Sequence, residues 1–355
     1  MLVELPLNNL SYGQVGYNLL RELLKREKTI GVFPIGNTDL SAYEPSKEFM
    51  AWLQESVNRR FDLLKRDVPT IKLWHIANSE SLRTPDQTLL TFYECSEPSN
   101  YEKRICSLQK KTLFSSVDAA SHFRSGGLKN GGTFSCGFDP DFHLTGKKYQ
   151  DDKVVFSLIG KFEARKLTAK IITAWCKKYG NNSKYALNLL VNNPFFDAET
   201  NQRLLANAMM GKRFWNVNIL PHLRTNKEVN ELLNASDIDL SGLSGGEGWG
   251  LPSFHATALG KWSIVMNHTA HKDWATAENS ILVEPSGRMP VYDGVFFKPD
   301  SPTNHGQFYT LSEENMINAM ELAEKKAKTP NPNGQKLQQT HSWEKAVDGI
   351  LAQIS

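Results

Sequence analysis

Short apolar runs alternate with apolar stripes at helical spacing along most of this chain. Residues 2–7, 29–35, 71–76, 88–93, 154–159, 186–191, 214–220, 237–241 and 263–266 are runs of strand length. Between them, Leu19, Leu20, Leu23 and Leu24 mark one face of a helix over 17–25. Phe49, Trp52, Leu53, Val57 and Phe61 mark another over 47–64, and that stripe reads as core. Helices are also expected over 100–109, 167–179, 227–233 and 253–259, and Trp343, Val347, Ile350 and Ile354 form a last amphipathic one. Strands alternating with helices predict parallel sheets covered on both faces, an α/β architecture. Residues 145–153 are polar and unpatterned and read as a linker, and Pro330 to Pro332 breaks the chain again. The expected division is therefore a first domain over 1–150, a second over 151–335 and a terminal helix over 336–355.

The chemistry concentrates after the run 237–241. Gly245, Gly246, Gly248 and Gly250 surround Glu247 and Trp249, and Leu251-Pro252-Ser253 follow. Glycines let a backbone approach a ligand closely and take positive φ. Pro252 suits a first helical turn, and Gly260 is placed to end that helix. Strand, glycine loop and helix start together form an anion site, with free N–H groups and the positive end of the helix dipole facing the loop. Glu247 adds an acceptor beside the anion, which suits hydroxyls on something attached to a phosphate, such as a sugar. Gly13 and Gly16, between the run 2–7 and the helix over 17–25, repeat this grammar more weakly and fit close packing equally well.

His75 and Glu94 stand at strand ends, where parallel sheets bind ligands. His75 fits a site role or a backbone-bonded core histidine; Glu94, a carboxylate after an apolar strand, favours a site. His268, His271 and Asp273 share a loop, but their spacing is not diagnostic of a metal. Lys103, Arg104, Lys110, Lys111, Arg124 and Lys129 outnumber Glu102 and Asp118, which suits an anionic partner or a solvated helix face.

Bulk properties narrow the class. The 355 residues are enough for two domains, and 40% hydrophobic with 22% charged residues is ordinary for a soluble protein. A net charge of +3 neither demands nor excludes nucleic acid. Cys95, Cys106, Cys136 and Cys176 show no C-x-x-C pairing, so reduced thiols and a cytoplasmic location are expected. No signal peptide, membrane-spanning run or internal repeat is read.

The segment Glu247-Gly248-Trp249-Gly250-Leu251-Pro252, with its helix and the following strand, resembles the donor-site signature of GT-B glycosyltransferases, nearest to family 4. The second glutamate of that pattern falls on His255 here. Gly160-Lys161-Phe162-Glu163-Ala164-Arg165-Lys166 resembles the family's G-R-x-x-x-x-K-G segment, with Lys161 for arginine and Leu167 for the final glycine. Residues 91–97, 113–116 and 137–142 resemble the second half of a family-4 N-terminal domain.

The resemblance implies two Rossmann-like domains facing a cleft, with the last helix crossing back to the first. It implies a nucleotide-diphosphate sugar, of UDP type, as donor, no cofactor, no metal and no stable membrane insertion. Lys161 and Lys166 would neutralise the diphosphate, the alternative being two solvated lysines. Glu247 would orient the sugar, and His255 would stand at the ribose. Gly13, Gly16, Asn192, Leu223, Gly246, Gly248, Trp249, Gly250 and Leu251 would line the donor, with the base near Leu223 and Arg224. His271 would contact the donor sugar or the acceptor. His75 and Glu94 would contact the acceptor or the reacting centre, and the reaction would retain anomeric configuration. Similarity to short glycosyltransferases of large bacteriophages implies hydroxymethylated DNA bases as one acceptor class; cell-surface glycans or lipid-linked sugars are the other. A sugar-nucleotide epimerase and a non-catalytic nucleotide-sugar binder are the rival classes.

Overall fold

The alternating pattern folds as repeated parallel βα units. The computed structural model describes residues 1–147, 149–292 and 297–354. The first half holds β1 (Leu2–Leu5), α1 (Ser11–Lys25), β2 (Gly31–Pro34), α2 (Lys47–Asn58), α3 (Arg60–Leu64), β3 (Thr70–Leu73), β4 (Gln87–Thr91), α4 (Asn100–Leu108), β5 (Lys111–Phe114), α5 (Val117–Ser125) and β6 (Gly131–Thr133). The second holds β7 (Val154–Ile159), α6 (Thr168–Tyr179), β8 (Tyr185–Leu190), α7 (Ala198–Ala208), β9 (Val217–Ile219), α8 (Asn226–Asn234), β10 (Ile238–Asp239), α9 (Leu251–Ala258), β11 (Trp262–Met266) and β12 (Ile281–Val283). It continues through β13 (Gly287–Pro290), β14 (Gln307–Thr310), α10 (Glu313–Glu324), α11 (Pro332–Gln335), α12 (Leu337–Thr340) and α13 (Trp343–Ile354).

Among the described residues these strands form two six-stranded parallel sheets, ordered β2-β1-β3-β4-β5-β6 and β12-β11-β10-β7-β8-β9, and one antiparallel pair, β13-β14. The order reverses between β1 and β3 in the first sheet and between β7 and β10 in the second. Loops leaving the carboxyl ends of such neighbours diverge and open a crevice, where α/β sheets bind ligands.

The chain divides into two compact units. One comprises Met1–Asp139, Pro302–His305 and the chain from Thr340 onward; the other comprises Pro140–Ser301 and Gly306–Gln339. The change falls at Asp139/Pro140 rather than at 150, for a readable reason. Buried Asp139 accepts from Asn18 at 2.9 Å and Gln14 at 3.1 Å, which anchors the exit in the first unit. The polar stretch that follows is gripped by asparagines of α8: His143 N–H donates to Asn230 at 3.0 Å and Thr145 N–H to Asn234 at 2.9 Å. The terminal α13 returns to the first unit, where Arg26 at the end of α1 reaches Asp348 at 2.7 Å and the Glu344 carbonyl at 3.0 Å.

Three further expectations change. The helix over 47–64 breaks at Arg59, and Phe61 is 54% exposed with the Arg60 guanidinium 4.5 Å above its ring. The run 237–241 is a strand for two residues only. The Ser241 hydroxyl donates to Asp239 at 2.6 Å and accepts from Ile159 N–H at 2.9 Å, and the chain coils there into a short 3-10 turn. The expected glycine loop at 13–16 is helical: α1 begins at Ser11. A Cβ at Gly13 would lie 2.1 Å from the Asn8 carbonyl, and one at Gly16 2.5 Å from that of Pro6, so these glycines let α1 sit tight on the end of β1.

Apolar side chains fill both sheets' interiors, for example Phe156, Ile171, Trp175, Leu187, Ile264 and Met320 in the second unit. One polar row crosses that sheet. Ser157, Asp239 and Ser263 are in register on β7, β10 and β11, and all are buried. Ser263 bonds Thr257 at 2.8 Å and the Ser253 carbonyl at 3.2 Å, which ties α9 to β11 through hydroxyls. Burial pushes the Asp239 carboxyl up to about 6, against its bonds from Ser241. A carboxyl raised on folding stabilises the fold when protonated, and that contribution fades as pH rises from about 4 to about 6. Asp239→Asn keeps an acceptor for Ser241 and removes this fade, worth up to about 3 kcal/mol. Urea denaturation from pH 4 to 7 checks it: the variant gains on the wild type across that window, whereas parallel stability curves would contradict the assignment.

Candidate functional site

The switch point of the second sheet brings together the loop after β7 and the loop after β10. Residues 160–167 leave β7 through Gly160, whose φ of +148° turns the chain back along the sheet edge. Leu167, in the left-handed region at φ +53°, starts α6 where the family pattern has glycine. Residues 242–250 leave β10 and are buried throughout. Gly245 joins the two loops: its N–H donates to the Arg165 carbonyl at 2.8 Å, and its carbonyl accepts from Tyr309 of β14 at 2.8 Å. A Cβ there would sit 2.1 Å from the Tyr309 carbonyl, so only glycine fits. Gly250 caps α9 at φ +81°, and a Cβ on it would stand 2.7 Å from His271 Nε2.

Five charged side chains alternate across these loops. Lys161 pairs with Glu163 at 2.8 Å and Glu163 with Arg165 at 3.0 Å. Arg165 reaches Glu247 at 3.4 Å and donates to the Gly246 carbonyl, and Glu247 pairs with Lys166 at 2.6 Å. Three cations against two carboxylates leave the cluster one charge positive. Burial alone would raise both carboxyls. For Glu247 it is outweighed by Lys166 and Arg165, and for Glu163 by Arg165, Lys166 and Lys161, which hold both below the usual carboxylate range. Lys161 is about one-third exposed and also lies 5.1 Å from the ring of Phe195, in the loop after β8. The start of α9 adds the positive end of its dipole.

The two histidines near this cluster are held neutral. His271 is fully buried and lowered by burial; its Nδ1 donates to the Met266 carbonyl at 3.0 Å, which leaves Nε2 as an acceptor. His255 lies within α9, 3% exposed, its ring tilted against those of Phe142 and Phe254, and burial pushes it down to about 3. His268 packs on Tyr309 and bonds the Ser244 carbonyl at 2.9 Å, so it braces the loop from beneath. Trp249 is buried, and its carbonyl accepts from Trp274 at 2.9 Å.

The structure therefore gathers Lys161, Lys166, Gly246, Glu247, Gly248, Trp249, Gly250, Leu251 and His271 at one sheet edge. Asn192 is exposed after β8, and Leu223 half-buried after β9, on the same carboxyl edge. Arg224 donates its N–H to Glu228 at 2.6 Å as α8 begins. Gly13, Gly16, His75 and Glu94 belong to the first unit. There His75 and Glu94 flank Tyr12 of α1, whose ring is 4.4 Å from that of His75 and whose hydroxyl burial and the Glu94 carboxylate keep protonated. Sequence reading missed Glu163, Arg165 and Tyr12. The alternation of charge over 161–166 was the available signal for the first two; nothing local marks Tyr12.

No protein-family model and no curated protein sequence matches the chain. Solved structures do match. A sucrose-phosphate synthase from Thermosynechococcus elongatus superposes with a TM-score of 0.71 at 14% identity, over 99% of this chain and 97% of that one. A trehalose-6-phosphate synthase, OtsA, gives 0.67 at 9% identity over 99% and 98%. HepE from Anabaena, in complex with UDP and glucose, gives 0.64 at 12% identity over 99% and 98%. The chain has the GT-B fold, the architecture of two Rossmann-like domains.

The charge cluster makes an ordered prediction. Arg165→Ala leaves two buried carboxylates short of a partner and costs about 3–5 kcal/mol. Lys161→Ala, at an exposed end, costs no more than about 1 kcal/mol. Urea denaturation at neutral pH measures both; equal losses would remove Arg165 from the centre of the cluster.

Proposed function

We propose that this chain is a retaining glycosyltransferase that moves a sugar from a nucleotide-diphosphate sugar, of UDP type, to an acceptor hydroxyl. One observation carries the reading: a buried, ionised carboxylate, Glu247, lies between two cations beside the start of α9, at the switch point of a parallel sheet in a GT-B fold. Cations and helix dipole suit a diphosphate, and the carboxylate suits hydroxyls carried by it. That HepE was solved with UDP and glucose supports the same donor chemistry.

In this reading Lys161, Lys166 and the N-terminus of α9 stabilise negative charge growing on the diphosphate as the bond from the anomeric carbon to phosphate oxygen breaks. The acceptor oxygen forms the new bond to that carbon from the leaving-group face, and its proton passes to the departing phosphate. Glu247 orients the sugar, and the neutral His271 offers a further acceptor through Nε2. Donor binding draws Lys166 toward the phosphate while Arg165 keeps Glu247 paired. No bound metal is needed for this charge balance, and none is proposed. The site's placement in a soluble cytoplasmic enzyme is part of the proposal; among the described residues no helix is long and apolar enough to cross a membrane.

The acceptor classes differ in what they need. The cations of 103–129 that would meet DNA are partly engaged: Lys111 donates to the Gln353 carbonyl and Arg124 to the Gly131 carbonyl at 3.0 Å, while Arg104, Lys110 and Lys129 are exposed.

Calorimetric titration with a panel of nucleotide sugars, followed by product analysis with oligosaccharide and hydroxymethylated-DNA acceptors, tests the reading. A UDP-sugar binds and is consumed only with acceptor present. Glu247→Gln lowers turnover more than ~10-fold, as expected when a charged group that stabilises the transition state is neutralised. Epimerised donor without acceptor, or binding without any turnover, would replace the proposal with one of its rivals; undiminished turnover in the variant would remove Glu247 from the site.

A further inference from the structure

Glu102 counts among the charges of a solvated stretch in the sequence, yet in the fold it is 1% exposed. It lies in the first turn of α4, where it and Ser99 cap the helix reciprocally. Ser99 N–H donates to Glu102 Oε2 at 2.8 Å, and Glu102 N–H donates to Ser99 Oγ at 3.1 Å. The other carboxyl oxygen makes a bond the cap does not need: Glu102 Oε1 accepts the N–H of Asn304 at 2.8 Å. Ser99 Oγ also donates to the Pro302 carbonyl at 2.7 Å, and Glu97 forms an antiparallel bridge with His305. Residues 302–305 thus belong to the first unit by their contacts, although the chain on either side of them belongs to the second.

Polar bonds to the start of α4 seat this strap, with little apolar burial. Of its four residues only Thr303 is buried, and Pro302 and His305 are exposed. Its end carries two left-handed turns, Asn304 at φ +60° and Gly306 at φ +92°, a region that asparagine and glycine tolerate. Gly306 then closes the open end of the β13–β14 pair, its carbonyl accepting from Val291 N–H at 3.2 Å. Within β14, Tyr309 N–H donates to the Gly245 carbonyl at 2.8 Å, and the Tyr309 ring stacks on His268 at 4.6 Å. One short strand therefore runs from the strap to the loop that presents Glu247.

The geometry points to 302–305 as a latch: a segment that leaves its seat on Ser99 and Glu102 while both units stay folded, and whose seating is coupled through β14 to the loop 245–250. A strap fixed by few polar bonds opens at a lower free energy than the sheet beside it. Coupling of this kind is reciprocal, so a ligand that orders 245–250 favours the seated strap, and an unseated strap weakens that ligand. The identity of the ligand as a nucleoside diphosphate rests on the glycosyltransferase reading; the latch itself does not.

Hydrogen-exchange mass spectrometry on the full chain, with UDP as the probe, tests this. In the wild type 302–306 exchanges faster than β1, β3 and β4. Glu102→Gln is the diagnostic variant. A glutamine gives its one oxygen to Ser99 N–H and keeps the cap, and its NH2 group then faces the Asn304 N–H, donor against donor. Exchange over 302–306 rises more than ~10-fold, the scale of one lost hydrogen bond to a buried acceptor, while β3 and β4 stay within ~2-fold. A disulfide formed by Glu97→Cys with His305→Cys, whose antiparallel pairing suits the bond, slows the same segment, and reduction restores it. UDP slows strap exchange in the wild type more than ~3-fold and binds Glu102→Gln more weakly by a similar factor. The inference is overturned if 302–306 opens only together with the sheet, if neither variant changes its exchange, or if UDP binds without altering it. Failure of the wild type to bind UDP counts against the glycosyltransferase reading instead, and the two variants are read without it.

Discussion

Arg165 holds the ligand edge of the second unit together. A loop with four glycines between 245 and 250 loses much backbone entropy on ordering. Its shape is imposed from the neighbouring strand's loop: Arg165 donates to the Gly246 carbonyl, reaches Glu247 and anchors itself on Glu163, while its own carbonyl takes the Gly245 N–H. A buried guanidinium with two carboxylates and a carbonyl around it is balanced in charge; without it, two anions would face a desolvated interior. The same interactions that order the loop also set its chemistry, because they keep Glu247 ionised beside the start of α9.

That arrangement fixes the charge of four groups through the physiological range. Glu163 and Glu247 are held below the ordinary carboxylate range by adjacent cations, and His255 and His271 are kept neutral by burial. Protonation therefore does not change the donors and acceptors offered to a ligand near neutrality. Asp239 titrates closer to neutrality, and it sits beneath the loop in the row of hydroxyls that seats α9. Its charge acts on the fold more than on the ligand. The first unit contrasts with all this: its switch point gathers the rings of Tyr12, His75 and Phe92.

Much of the fold was legible because it depends on local pattern. The run 154–159 is a strand with those bounds, and the stripe of the last helix does bury Trp343, Val347 and Ile350. The Gly250 to Gly260 segment could also be read, since a left-handed cap and a proline at the second helical position are chain-local requirements. What escaped depends on partners distant in sequence. Gly13 and Gly16 looked like a loop, but their role is set by the carbonyls of Asn8 and Pro6 beneath the helix. Residues 145–153 looked like a linker because Thr145, at their start, takes its partner from Asn234 of α8, 89 positions on. Lys161 and Lys166 could be matched to a family pattern, whereas Arg165 and Glu163 between them could not, because Arg165 matters through meeting Gly246 across 81 positions of chain and Glu163 through holding Arg165. Tyr12 joins His75 and Glu94 only once three separate segments are folded together.

A crystal structure with an intact UDP-sugar tests the central claim most directly. The account predicts the diphosphate against Lys161, Lys166 and the first turn of α9, and a sugar hydroxyl within hydrogen-bond distance of Glu247, with Arg165 still bridging Glu163 and Glu247. Donor bound elsewhere on the chain, with the Lys166–Glu247 pair undisturbed, would contradict it.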